Sequence, residues 1–280
     1  METVGAFVAP GELTSGEKEG YMRAKGVREE DGALIATKAG IKVRLDRLLT
    51  IQNYFERYTP DTGDVVVGRV VSIDKSSWSV DIHASRLGQM NPSSIRLKDD
   101  VIRRRSMSDE INMRKLMKEG DIIAAEVQQV KTGGSIRLHC RSPHDRVLKH
   151  GIFVISPSCL VPRRSRHRFM IPSISVFVIL GVNGGIWVGS CAADIYDRVV
   201  GKESSIDYGE SAPSASRCRN VIIVASCIRN LIKNERLLTK SIIEMFIDII
   251  IAEDNGKEEI IVLVEKCYSL LLDKEEEEEK

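Results

Sequence analysis

Three consecutive arginines, Arg103, Arg104 and Arg105, carry the most readily named chemistry in the chain. A guanidinium group presents a planar fork of N–H donors that matches the oxygens of a phosphate group. The same side chains could instead stay solvated or pair with the acidic residues nearby, which are Asp99, Asp100, Asp109 and Glu110. The sequence leaves both readings open, and we keep the three arginines as candidate phosphate ligands.

A Gly-x-x-Gly motif at Gly181-Val182-Asn183-Gly184 is the second candidate site. Glycines of this kind let a backbone approach the phosphates of single-stranded RNA. A phosphate cradle needs a helix after the second glycine, whereas residues 185–189 are β-branched, aromatic and glycine, which favours a strand. The motif also contains no lysine or arginine. We therefore expect a structural role for it more than a direct contact with RNA.

Further candidate RNA-binding residues lie in and around the predicted strands of residues 61–142. Trp78 could stack on a nucleotide base, although a single tryptophan on a strand is more often a core residue. Sequence-independent attraction to phosphates is expected from Lys75, Arg137 and Arg141.

The sequence shows no arrangement typical of catalysis or of a metal site. Asp64, Asp74 and Asp81 fall on different predicted strands or faces, and no histidine lies at a motif spacing from a serine or cysteine. All six cysteines lie in the second half, without a Cys-x-x-Cys pair. We expect a protein without catalytic residues, metal or cofactor.

The distribution of charge is uneven along the 280 residues, although the total net charge is +1. Residues 131–170 carry nine lysine and arginine residues against Asp145 alone, a local charge of +8. Residues 253–280 carry eleven acidic residues against four lysines, a local charge of −7. The basic block indicates an anionic partner, and the acidic end indicates a solvated tail. The start lacks the pattern of a signal peptide, and residues 242–252 are too short to span a bilayer, so we expect an intracellular protein without a membrane partner.

Five short apolar runs predict strands in residues 61–142. They are separated by turn residues, with a long loop at 91–107 and a helix at 108–118 between the third and fourth. This order is typical of a five-stranded barrel of the oligonucleotide-binding (OB) type. The predicted strands are Asp64–Ile73, Trp78–Ile82, Arg86–Met90, Asp121–Val130 and Ser135–Cys140.

Flanking segments complete an α+β multidomain organisation. Strand-like runs at 33–37, 41–45 and 48–52 predict a small N-terminal β domain over residues 1–60. After the barrel at 61–142, a C-terminal α/β domain is predicted over 150–272 and an acidic tail over 273–280. The C-terminal domain begins with a strand at 151–161, contains an apolar run at 176–188 and continues with helices at 216–233, 239–252 and 258–272.

A series of short motifs, in one order along the chain, resembles a known family. The chain is similar to the S1/KH cap subunit of the eukaryotic RNA exosome, the ribosomal-RNA-processing protein 4 family. The resemblance covers residues 8 to about 230. Its motifs are Val8–Gly11, Gly20–Arg23, Gly63–Arg69, Arg103–Ser106 with Asp109, Glu110, Met113 and Arg114, Glu119–Asp121 with Ala125–Gln128, Val178–Trp187, and Arg219-Asn220.

The resemblance implies an S1 domain for the barrel and a KH-like C-terminal domain. It also implies a non-catalytic cap subunit that bridges RNase PH-like ring subunits, contacts other cap subunits and guides single-stranded RNA to a nuclease elsewhere in the complex. The implied location is the nucleus and nucleolus, and also the cytoplasm. Val182 stands where the family usually has asparagine.

The sequence disfavours one alternative function and leaves a second one open. A phosphorolytic exoribonuclease also carries S1 and KH domains, but it places KH before S1 and needs two large catalytic domains. A free-standing S1/KH regulator of translation or RNA stability would act without a ring.

Overall fold

The computed structural model describes residues 2–15, 21–53, 56–74, 76–95, 113–131, 133–140, 147–190, 214–253 and 260–278. The chain divides into two compact units, Met1–Glu56 and Arg57–Lys280. The second unit contains both the barrel and the C-terminal domain. The predicted domain limits at residues 60, 142 and 150 stay predictions.

The first unit is built from strands, as its alternating apolar residues predict. Two sheets form, one with the order β1-β6-β7-β3 and the other with the order β2-β5-β4. Their buried side chains include Val8, Leu34, Leu49 and Ile51. The strands are β1 (Glu2–Val8), β2 (Leu13–Ser15), β3 (Met22–Arg23), β4 (Val27–Glu30), β5 (Ala33–Ala36), β6 (Gly40–Leu45) and β7 (Leu48–Gln52).

A closed five-stranded barrel begins the second unit and confirms the predicted fold. The strand order around the barrel is β10-β12-β11-β8-β9. Strands β10 and β12 are parallel, and the other four pairs are antiparallel. The strands are β8 (Val65–Ile73), β9 (Trp78–Asp81), β10 (Gly88–Ile95), β11 (Ile122–Val130) and β12 (Ile136–Cys140).

The third barrel strand extends beyond its predicted end at Met90, into residues for which the sequence predicts a loop. Strand β10 continues to Ile95 through an irregularity in its pairing with β12 between Met90 and Ile95. The Ser94 hydroxyl donates to Asn91 O at 2.6 Å and accepts from Asn91 N at 3.1 Å. Strand β10 tolerates Pro92, which has no N–H to donate, because the pairing of β10 with β9 ends at Met90. Of the predicted helix at 108–118, the structure describes α1 (Met113–Leu116), and residues 108–112 lie outside the described residues.

The C-terminal domain is a four-stranded antiparallel sheet followed by three helices. The sheet order is β13-β16-β15-β14. The predicted strand at 151–161 is shorter than expected: it ends at Ile155, and a 3₁₀ turn follows at Ser158–Leu160. The proline before that turn has no N–H to continue a strand ladder. The elements are β13 (Gly151–Ile155), β14 (Arg168–Ile171), β15 (Val176–Leu180), β16 (Gly185–Ser190), α2 (Ala215–Lys233), α3 (Lys240–Glu253) and α4 (Ile260–Glu278).

The C-terminal sheet is buried on both faces, which explains the continuous apolar run of β15. Val176, Val178 and Leu180 pack into the core that the sheet shares with the three helices. Phe177 and Ile179 alternate with them and pack on the opposite face. That second cluster contains Trp187 and the barrel residues Val65, Val67 and Ala124. The sheet is therefore a wall common to two hydrophobic cores.

Candidate nucleic-acid interface

Arg137 is the predicted RNA-binding residue that the structure places on an exposed surface. It lies on β12 between the buried residues Ile136 and Leu138, so its side chain faces outward. In the strand pairings its neighbours are Gln89 of β10 and Gln129 of β11, both exposed. The outer face of the barrel thus carries a polar row with a guanidinium group at its centre.

Two further cations lie near this row, and the sequence analysis did not single them out. Arg86 is exposed in the loop before β10, and its side chain lies against Gly134. Lys131 is exposed in the turn between β11 and β12, where its N–H donates to Ser135 O at 2.9 Å. Among the described residues, Arg86, Lys131 and Arg137 form no ion pair. One sequence signal could have identified Arg86 and Lys131: each is a basic residue next to the end of a strand and close to a glycine.

Trp78 requires a correction as a candidate for base stacking. Its side chain is 0% exposed and lies inside the barrel. The indole N–H donates to Met117 O at 3.4 Å, just beyond helix α1, so the ring is held on the inner side. A base cannot stack on it in this conformation, because no face of the ring is accessible.

The remaining predicted RNA ligands lie outside the described residues. They stay predictions and are Lys75, Arg103, Arg104, Arg105 and Arg141.

The Gly181–Gly184 motif forms the turn between β15 and β16 and is buried. Asn183 is 2% exposed, and its amide reaches the barrel. Its Oδ1 accepts from Val67 N at 3.1 Å, while its Nδ2 donates to Val67 O at 2.8 Å and to Ile82 O at 3.2 Å. Val182 N also donates to Val65 O at 2.9 Å. The strand expected after the motif is confirmed as β16.

Glycine is required at the last position of the motif. Gly184 has a φ of +81°, a conformation that side chains of L-residues rarely adopt. A Cβ atom there would lie 2.0 Å from Ser156 O. The polar groups of this turn are thus used within the protein, and its backbone is enclosed by β13 and the barrel.

A buried carboxylate joins the start of β8 to the segment before β14. The Asp64 side chain is 7% exposed and accepts from Arg163 Nε at 3.0 Å and Nη2 at 3.1 Å. Tyr58 Oη and Asp61 N also donate to it, at 2.8 and 3.0 Å. Burial alone would raise the pKa of Asp64, but the hydrogen bonds, first of all from Arg163, lower it. The carboxylate is therefore ionised in the folded protein at neutral pH.

We expect Asp64→Asn to destabilise the second unit by about 1–3 kcal/mol at pH 7, because it removes the charge of a buried carboxylate that accepts four hydrogen bonds. The native pKa is lowered, so the ionic contribution is complete above the unfolded value of about 3.9 and is lost as pH falls through the native pKa. The difference between parent and variant should therefore shrink as pH falls below about 4. Urea unfolding from pH 7 to 3, followed by tryptophan fluorescence, measures it.

Asp61→Asn is the matched control for this prediction. Asp61 also contacts Arg163 at 3.1 Å, but its side chain is 70% exposed. Its replacement should cost less than about 1 kcal/mol. A stability difference for Asp64→Asn that is the same at pH 7 and pH 3 would contradict the assigned role of the carboxylate.

Metal-binding and membrane-spanning features were also searched for. Within the described residues, no three or more histidine, cysteine, aspartate or glutamate side chains are grouped so as to hold a metal ion. No helix in the same parts of the chain is long and apolar enough to cross a bilayer.

Comparison with known proteins gives one consistent group of relatives. The family described as RRP4, S1 domain, matches residues 57–129. "Exosome complex component rrp4" of Schizosaccharomyces pombe is 31% identical over 247 residues, which are 86% of this chain and 74% of the relative. "Exosome complex component RRP4" of Saccharomyces cerevisiae is 35% identical over 220 residues, which are 79% of this chain and 57% of the relative. The Bos taurus protein of the same name is 38% identical and covers 65% of this chain and 61% of its own length.

Proposed function

Because the chain belongs to the Rrp4 family of exosome complex components, we propose that it is an RNA-binding cap subunit of the RNA exosome. It has no nuclease activity of its own in this proposal. It bridges RNase PH-like ring subunits, contacts other cap subunits and guides single-stranded RNA toward 3′–5′ degradation and rRNA processing. Its location follows that of the complex, in the nucleus and nucleolus and also in the cytoplasm.

The exposed polar row on the barrel is the observation that supports RNA binding most directly. Arg137 lies there between two glutamines, with Arg86 and Lys131 close to the same end of the barrel. These cations form no ion pair among the described residues, so their N–H groups can bind phosphates. Barrels of this type bind oligonucleotides on their second and third strands and on adjoining loops, and β12 places Arg137 directly beside Gln89 of the third strand.

The triple variant Arg103→Glu/Arg104→Glu/Arg105→Glu tests the proposal in the assembled complex. We expect the tagged variant to co-purify with ring and cap subunits as the parent does, while its complex captures less single-stranded RNA. Each lost phosphate contact should flatten the plot of log affinity against log salt by roughly 0.7. Affinity purification with identification of the co-eluting proteins, followed by RNA titrations at several salt concentrations, gives both results.

The matched control reverses three exposed cations on helix α2, Arg217, Arg229 and Lys233. This control changes the net charge by the same amount as the triple arginine variant does. It should leave the salt dependence of RNA affinity as in the parent. An unchanged slope for the triple arginine variant would show that the cluster is a solvated loop. Loss of the variant from the complex would assign the arginines to a subunit interface. A parent chain that migrates as a monomer in lysate would favour the free-standing regulator.

A further inference from the structure

A second group of cations lies on the C-terminal domain, in a segment that we call the basic turn, residues 163–168. Its sequence is Arg163-Arg164-Ser165-Arg166-His167-Arg168. It follows the 3₁₀ turn at Ser158–Leu160 and leads into strand β14. Four guanidinium groups within six residues repel one another, and acidic side chains nearby reduce this repulsion.

Three residues of the basic turn are fixed to the protein. Arg163 pairs with Asp64 and donates to Thr59 O at 3.0 Å. Arg168 donates to Glu126 on β11 at 3.1 Å. His167 is 9% exposed and lies 3.0 Å from Leu180 O through Nδ1.

The histidine also fixes the backbone of the turn. Arg164 N donates to His167 Nε2 at 3.1 Å, so Nε2 is the acceptor and Nδ1 carries the proton that is donated to Leu180 O. Burial lowers the pKa of His167, which keeps this neutral form at physiological pH. The turn is therefore held in one conformation by contacts to the barrel and to β15.

The two remaining arginines point away from these anchors. Arg164 and Arg166 are exposed, and so is Ser165 between them. Neither arginine forms an ion pair with any residue that the structure describes. Their backbone is already ordered, so binding an anion costs less conformational entropy than it would for a mobile loop.

The basic turn lies at the same end of the barrel as the exposed cations Arg86 and Lys131. Arg163 binds Asp64, which directly precedes β8. Val127 N donates to Asp64 O at 2.9 Å, three residues before β11 ends at the turn that contains Lys131. The pairing of Arg168 with Glu126 joins the turn to the same strand. The exposed cations of the barrel and those of the basic turn thus lie at one end of the barrel.

We propose that Arg164 and Arg166 form a second phosphate-binding site, which holds the backbone of single-stranded RNA where it passes the end of the barrel. This inference rests on the proposed RNA-binding function and adds a contact outside the barrel. RNA fits the site better than an acidic protein surface does, because the site lies at the same end of the barrel as the exposed cations Arg86 and Lys131 and offers guanidinium forks suited to phosphate oxygens. Phosphate contacts of this kind fix the path of the strand and do not read its sequence.

The test measures binding of a fluorescein-labelled single-stranded oligouridine to the full chain between about 50 and 200 mM salt. Arg164→Gln/Arg166→Gln should reduce the slope of log affinity against log salt by about 1.4, since each phosphate contact contributes roughly 0.7. That change corresponds to binding on the order of 20-fold weaker at 0.1 M salt. Arg164→Lys/Arg166→Lys should retain the slope because it retains the charges.

Arg217→Gln/Arg229→Gln on helix α2 removes the same charge and should bind RNA as the parent does. This inference would be overturned if Arg164→Gln/Arg166→Gln had the same slope as the parent while Arg137→Gln had a flatter one. That result would leave the proposed function in place. Loss of co-purification with ring subunits at an unchanged slope would overturn it in favour of an acidic protein partner. A parent chain whose affinity for RNA does not depend on salt would contradict the proposed function itself.

Discussion

Replacing Asn183 with leucine should destabilise the second unit by about 3–6 kcal/mol. Leucine is similar in size but has no polar atoms, so Val67 N, Val67 O and Ile82 O lose their partners in a buried site. Each buried group left unsatisfied costs about 1–3 kcal/mol. The chain has two tryptophans, Trp78 and Trp187, and both are buried in this unit. Their fluorescence during urea unfolding therefore measures the effect directly.

Asn234→Leu makes the same chemical change at an exposed position and serves as the control. Asn234 directly follows α2, and its exposed amide donates to Asn230 O at 2.8 Å near the end of that helix, so its loss should cost less than about 1 kcal/mol. Equal unfolding midpoints for Asn183→Leu and the parent would show that the amide does not hold the domains together.

Gly184→Ala should destabilise the same unit by about 3 kcal/mol or more. Two costs add, because the positive φ disfavours any side chain and the new Cβ would meet Ser156 O at 2.0 Å. The backbone cannot easily move away, since Ser156 N donates to Gly184 O at 2.8 Å. Gly184→Asp should be more damaging, because it adds a buried charge. Thermal and urea unfolding of both variants measure the loss.

Gly120→Ala separates the two costs. Gly120 has a φ of +91°, but nothing lies within 4 Å of the position that its Cβ would take. Its replacement should cost about 1 kcal/mol, which is the conformational part alone. A Gly184→Ala variant that folds and assembles normally but loses RNA binding would show that the motif is an RNA site, contrary to the role expected here.

Much of the fold could be predicted, because it follows from patterns local in the sequence. Alternating apolar residues located the barrel strands, and the β-branched residues after Gly184 located β16. The sequence favours a core position for Trp78 without excluding base stacking, because an aromatic residue on a strand fits either face until the register is known. The end of β10 was misplaced, because Asn91-Pro92 is a turn signal that the barrel overrides with a local irregularity.

The contacts that define the site could not be predicted, because they join distant parts of the chain. Asn183 bonds to a residue 116 positions away, and Arg163 bonds to one 99 positions away. No local pattern encodes such a pair. The exposed cations Arg86 and Lys131 were missed for the same reason, since the barrel brings together two turns that are separate in the sequence.

The wall that β15 forms between two cores has a consequence for how this protein can evolve. Substitutions at residues 176, 178 and 180 alter the core shared with the helices, whereas those at 177 and 179 alter the packing against the barrel. Neighbouring codons of one strand are therefore under selection from different halves of the molecule. A lineage can adjust the surface that packs against the barrel through two positions while the helical half keeps its own set unchanged. The barrel strands end at Cys140 and β15 begins at Val176, so a barrel exchanged by recombination would have to fit residues 177 and 179 of the strand it meets.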